Sequence, residues 1–151
     1  MIRKLQNRPH WLEIAYAVSH RLVQCFARWL KPNGWVEKVF VRLEKLSKEP
    51  LFACKMCGQC VLHSTGMTCP MTCPKNLRNG PCGGVREDGH CEIDPAMPCI
   101  WVSAWERSRQ MPWYGEQILN IQPPLNRKLQ GTSAWINDSI GITARLPAGW
   151  D

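Results

Sequence analysis

Several things are scarce in this chain of 151 residues, and each scarcity excludes a class of protein. No apolar run reaches the ~18 residues that a membrane-spanning helix needs. Met1-Ile2-Arg3-Lys4 leads into a mixed polar stretch with no apolar core or cleavage site, so no export signal is expected and a cytoplasmic setting follows. There is no G-x-G-x-x-G and no G-x4-G-K-[ST], which removes the common nucleotide-binding loops. No Ser/His/Asp or Cys/His set suggests a nucleophile, and catalysis by the chain alone is not expected. Tyrosine and phenylalanine are few, two and three. From residue 53 to 100 there is no aromatic side chain except histidine.

What is present stands out against that background. There are nine cysteines and eight tryptophans, and hydrophobic residues make up 44 %, which argues against wholesale disorder. Cys25 lies alone. The other eight, Cys54, Cys57, Cys60, Cys69, Cys73, Cys82, Cys91 and Cys99, fall in one segment together with Pro70, Pro74, Pro81, Pro95 and Pro98 and six glycines. In a reducing compartment such cysteines point to metal rather than disulfides. A segment so rich in Pro and Gly, with few large side chains, should not order itself without help. Metal-binding energy can act directly as folding energy.

The spacings refine this. Cys54-Lys-Met-Cys57-Gly-Gln-Cys60 is C-x2-C-x2-C, which sets three thiolates around one tight turn and suits three corners of a [4Fe–4S] cube. A zinc ribbon more commonly has two separate C-x2-C pairs. Cys69-Pro70 and Cys73-Pro74 repeat a Cys-Pro step, and Cys82 sits in the permissive turn Asn79-Gly-Pro-Cys82-Gly-Gly84. Eight thiolates make two four-coordinate sites. The expectation is two [4Fe–4S] clusters, with one cluster plus one four-cysteine zinc as the alternative. The cysteines sharing a site are not readable from spacing; by ferredoxin logic Cys54, Cys57 and Cys60 could take a late cysteine such as Cys99. His63 and His90 are weaker ligand candidates. Lys75, Arg78 and Arg86 flank the cysteines and could offset cluster charge, while Trp101 and Trp105 read as packing anchors. Cys25, beside Phe26, reads as a small buried hydrophobe.

The flanks read as helices. Trp11 to Leu30 carries apolar residues at helical spacing and should end at Pro32-Asn33-Gly34. Trp35 to Leu46 follows, with Val36, Val39, Phe40, Leu43 and Leu46 on one face and Pro50 closing it. Ile100 to Met111 is a third, stopped by Pro112. The expected fold is therefore mainly α, with an irregular, metal-organised Cys-rich centre: helices over 1–49, the metal segment over 50–99, and a helix plus docking tail over 100–151.

Charge is uneven. Of the net +7, residues 1–49 hold +6 and residues 50–151 hold +1. A solvated basic helix face accounts for this most simply. An acidic partner, a membrane surface or nucleic acid are sharper readings, and nucleic acid is the weakest because the middle of the chain lacks basic–aromatic motifs. Two oxidised clusters with their eight thiolates would bring +7 to about +3 once bound ions are counted. The remaining positive charge is then concentrated where a partner could dock.

The motifs Cys57-Gly-Gln-Cys60-Val-Leu, Gly66-Met-Thr-Cys69-Pro-Met-Thr-Cys73-Pro-Lys and Asn79-Gly-Pro-Cys82-Gly-Gly84 occur in order. They are followed by Cys99-Ile-Trp101, Ala104-Trp-Glu106-Arg107 and Thr132-Ser-Ala-Trp135-Ile-Asn137. Over residues 50–137 the chain resembles the small cysteine-rich partner, or C-terminal domain, of methylenetetrahydrofolate reductase. The resemblance implies an iron–sulfur electron-transfer or assembly subunit for a flavin-containing reductase that interconverts 5,10-methylene- and 5-methyltetrahydrofolate. It implies that the eight clustered cysteines are the ligands, that flavin and folate belong to the partner, and that a further electron donor exists. A structural zinc module that stabilises the reductase without moving electrons is the alternative.

Overall fold

The computed structural model describes residues 6–26, 34–147 and 149. Among the described residues there are four α-helices: α1 (Pro9–Phe26), α2 (Trp35–Phe52), α3 (Ile100–Ser108) and α4 (Ala134–Ser139). Short 3-10 turns join them, and among the described residues there is no strand, only an isolated bridge between His90 and Pro98. The mainly α expectation holds. The expected end of the first helix at residues 32–34 falls largely outside the described residues.

The chain forms two compact units, and they do not follow chain order. One comprises residues 1–13 and 61–122, the other residues 14–60 and 123–151.

In the first unit α3 supplies Trp101, Ala104 and Ser108 to the interior, while Trp105 is exposed. Cys99, Trp101 and Ala104 pack with Val85, Val102 and Ile118. Trp101 donates its indole N–H to the Leu77 carbonyl at 3.2 Å, so this tryptophan is a core anchor. The Cys-rich segment has few large side chains, yet it buries its own small core of Val61, Leu62, Met67 and Met71. Each such side chain contributes roughly 1.5–3 kcal/mol on burial. Unbranched Met and aliphatic residues thus do part of the work of ordering this segment. Gly66 shows how close the packing is. It has φ +58°, and a Cβ there would run into the Ala104 carbonyl of α3. Glu13 is fully buried and accepts the backbone N–H groups of Trp113 (2.9 Å) and Tyr114 (2.7 Å).

In the second unit Val23 of α1 and Ile136 of α4 form the core, with Val36, Phe40 and Trp135 against them. Here α2 departs from the sequence reading in two ways. It continues through Pro50 to Phe52, because a proline in the last turn removes only one intrahelical bond. Its inward face is also partly polar: Glu37, Glu44 and Lys48 are buried, while Val39, Leu43 and Leu46 are exposed. The N-terminus of α4 explains that polarity. Ser133 caps α4 by accepting the Ile136 N–H, and its hydroxyl donates to Glu44, which also takes the Trp135 N–H at 3.1 Å. Carboxylates meet the helix's orphan donors there. Cys25 is exposed, against expectation; two residues on from buried Val23 it stands about 200° around the helix.

Candidate functional site

The Cys54–Cys60 run lies in the second unit. It leaves α2 through Ala53, which adopts a left-handed conformation (φ 50°) and donates its N–H to the Glu49 carbonyl at 2.9 Å. Met56 and Gly58 are also left-handed, at φ 48° and 74°. A Cβ on Gly58 would collide with the Leu129 backbone carbonyl, so the run is pressed against the tail and glycine is required. Side-chain amides hold it in place. Asn137 donates to the Gly58 carbonyl (2.8 Å), and Gln130 donates to that of Lys55 (3.1 Å). Fully buried Gln59 accepts the Asn126 N–H (2.7 Å) and donates to the Thr143 carbonyl (3.1 Å). The Gly131 N–H reaches the Met56 carbonyl at 2.8 Å.

Within this frame Cys54, Cys57 and Cys60 are all half-buried. The Cys54 sulfur accepts the Met56 N–H at 3.4 Å, and the Cys57 thiol lies 3.5 Å from the Gln59 carbonyl. Burial pushes the Cys54 thiol up. The neighbouring Cys60 and Cys57 thiols add to that, against the Met56 N–H and the Lys48 charge. The three thiols thus share one electrostatic environment. Sequence reasoning missed Gln59 and Asn137, whose role rests on partners far along the chain.

The first unit holds the other five cysteines. Cys73, Cys82, Cys91 and Cys99 line one small recess with a cavity volume of about 20 Å³, with Leu77, Val85, Met97 and Trp101 among its walls. Each arrives by a different route. Cys73 closes the 3-10 turn Pro70–Thr72, donating its N–H to the Pro70 carbonyl at 3.0 Å. Cys82 stands between left-handed Gly80 and Gly83. Cys91 and Cys99 are tied by backbone bonds across a tight loop: Cys91 N–H to Met97 O and Cys99 N–H to Gly89 O, both 2.9 Å. Cys99 is also the N-cap residue of α3.

Exposed Cys82 has its thiol pulled below the usual range by the Gly84 N–H and by the charge of Lys75. Lys75 pairs with Glu92, which lies 3.7 Å from the Cys82 sulfur. Of the three flanking cations, Lys75 thus acts on a candidate ligand, while Arg78 is buried. Cys69 is buried at the head of the Pro70–Thr72 turn and does not line the recess. His63 stacks edge-on with Tyr114, and His90 faces Asp88. Neither histidine lines the recess.

Among the described residues no three His, Cys, Asp or Glu side chains are gathered tightly enough to hold a single metal ion. No helix there is long and apolar enough to cross a membrane.

A family model described as methylene-tetrahydrofolate reductase C terminal matches residues 34–128. It takes in α2, which precedes the motifs recognised in the sequence, and stops before Thr132–Asn137. No curated protein and no solved structure matches the chain.

Proposed function

The chain belongs to the methylene-tetrahydrofolate reductase C-terminal family, and from that premise we propose that it is an iron–sulfur accessory subunit passing single electrons to the flavin of a reductase partner. The observation that carries the reading is the recess of the first unit, where four cysteines dispersed along the chain converge. The donor set fits. It is four thiols with no competing oxygen ligand except Glu92, which Lys75 engages. Four thiols lining one recess would supply the ligands of one thiolate-bound iron–sulfur cluster, with a four-cysteine zinc as the alternative.

We assign Cys73, Cys82, Cys91 and Cys99 to one site; Cys54, Cys57 and Cys60 are a separate set of candidate ligands in the other unit. Bound clusters would supply reversible one-electron storage at these positions. The protein's own part is to hold thiolates, exclude water on the apolar side of the recess, and place charge nearby. Flavin and folate residues belong to the partner, and the electron donor is a further protein.

Docking is assigned to the exposed apolar stripe of α2. Trp35, Val39, Leu43 and Leu46 are 42–78 % exposed, and exposed Lys38, Arg42 and Lys45 lie among them. Such a patch marks an interaction surface, and its cations suit an acidic rim on the reductase.

Anaerobic purification followed by iron, sulfide and zinc analysis tests the reading. The expected protein is brown, absorbs near ~400 nm as thiolate-bound iron does, and gives an EPR signal on reduction. A colourless, zinc-only protein overturns electron transfer and leaves a structural module.

A further inference from the structure

The first unit holds another cavity, larger than the cysteine recess, with a volume of about 290 Å³. It lies within residues 64–122 and shares Trp101 with the recess. Its walls divide by chemistry. Trp101, Ile118 and Leu119 are apolar, while Arg78, Asn79 and Gln122 are polar.

Among the described residues Arg78 is the one charged side chain of the wall, and it is only 8 % exposed. Taking a guanidinium out of water is costly, and an apolar side chain would fill a plain wall at less cost. Its planar fork carries five N–H donors, so it can hold a carboxylate through two of them and keep other bonds to the protein. The polar side is also fixed in place. The Asn79 side chain donates to the Gln122 carbonyl and accepts the Gln122 N–H, both at 2.8 Å. That clasp ties the chain beside Arg78 to the segment that follows the 3-10 turn Gly115–Leu119. Gly80 is left-handed at φ +86°, and nothing stands within 4 Å of where its Cβ would be, so the backbone on this side is open to a ligand.

The wall chemistry defines a class of ligand. One cation matches one negative charge, and a planar fork matches a carboxylate; a doubly charged phosphate calls for more than one cation. The apolar side takes an apolar body. The volume sits at the small end of ligand pockets, which run from about 300 Å³ upward, so the cavity suits a single-ring molecule and is too small for a nucleotide or a flavin.

We propose that this cavity binds a small free carboxylate with an apolar body, held by Arg78 and seated on the side of Trp101. The site belongs to the chain itself and stands whether or not the thiols carry iron. Through Trp101 its ligand also bears on one wall of the cysteine recess.

The test is a titration of the full chain, purified anaerobically, by calorimetry and ligand-observed NMR with benzoate as the probe. Benzoate is expected to bind saturably at one site per chain. Acetate lacks the apolar body and benzamide lacks the charge, and each should bind about tenfold or more weakly. Arg78→Gln should abolish benzoate binding. Arg78→Lys keeps the charge without the fork and should weaken binding several-fold. If these buried variants do not fold, Leu119 decides, since it lines the cavity and is 73 % exposed. Leu119→Asp should weaken benzoate binding and Leu119→Lys should strengthen it, with Tm unchanged and benzamide responding to neither. A wild-type chain without saturable benzoate binding, equal affinity for benzoate and benzamide, or Leu119 variants that leave benzoate binding unchanged or shift it in one direction overturn the site. Benzoate that displaces a co-purifying reductase also overturns it, because the carboxylate is then a side chain of the partner.

Discussion

The two sets of thiols are built in opposite ways. Cys54, Cys57 and Cys60 come from one run of seven residues, and side-chain amides of Gln59 in the run and Asn137 in the tail hold that run in shape. Cys73, Cys82, Cys91 and Cys99 are dispersed along the chain, and local backbone bonds hold Cys73, Cys91 and Cys99. The first set has a buried lysine for company. The second has an exposed Lys75–Glu92 pair and an open cysteine, Cys82. A compact motif needs long-range partners to rigidify it, whereas a dispersed one needs each local turn to be right.

The most severe way to break this comparison is to remove a ligand. Cys99→Ser should remove one of two EPR signals and about half the iron, with the other signal intact, because the two sets of thiols lie in separate units. Loss of all iron would show that the two sites do not assemble independently. Next come the supports of the compact run. Gln59→Leu leaves the Asn126 N–H and the Thr143 carbonyl without their partner, at about 1–3 kcal/mol for each buried group. A fall in Tm together with a change in only the signal that Cys99→Ser leaves intact is expected. Ile136→Ala, at a fully buried position of the same unit, should cost about 2–5 kcal/mol in chemical denaturation without a selective spectral change.

A gentler probe uses pH. In the metal-free chain Cys82 has its thiol pulled down and Cys54 has its thiol pushed up. Mapping iodoacetamide labelling by mass spectrometry should find Cys82 modified below the pH at which ordinary thiols react, and Cys54 only above it. The linkage has a definite sign. A raised Cys54 pKa contributes stability below the ordinary thiol pKa, and that contribution is lost as pH rises through the raised value. Equal labelling profiles would erase the electrostatic difference between the sets. The smallest effect on stability is expected at Leu43, which is 57 % exposed. Leu43→Asp should change Tm by no more than surface substitutions usually do, about 0.5 kcal/mol. It should weaken co-purification with the flavoprotein reductase several-fold; unchanged co-purification would move the docking surface elsewhere.

Legibility followed the range of the interactions. Helices α1, α2 and α3 were readable because apolar periodicity and proline are local signals. The inward face of α2 was not. Leu43 and Leu46 look like core residues by hydrophobicity, yet Glu44 goes inside because the α4 N-terminus offers donors, and Lys48 goes with it as its ion-pair partner. Cys25 failed for a related reason: its neighbour Phe26 is apolar, but both lie on the exposed side of α1. The buried methionines of the Cys-rich segment were also overlooked, since a count of aromatics misses what Met67 and Met71 can fill.

By itself the sequence carried an expectation of the chemistry: eight thiols at these spacings are what the proposal of metal and electron transfer starts from. It also carried the family, through motifs whose order is specific. The tertiary structure decided the grouping. Cys73, Cys82, Cys91 and Cys99 line a single recess, and no spacing rule could select those four. Ligand type is a property of each residue alone, while shared position depends on how turns fold onto one another, which a linear pattern does not encode. The same holds for Lys48: its charge is in the sequence, but its burial beside Glu44 exists only in the fold.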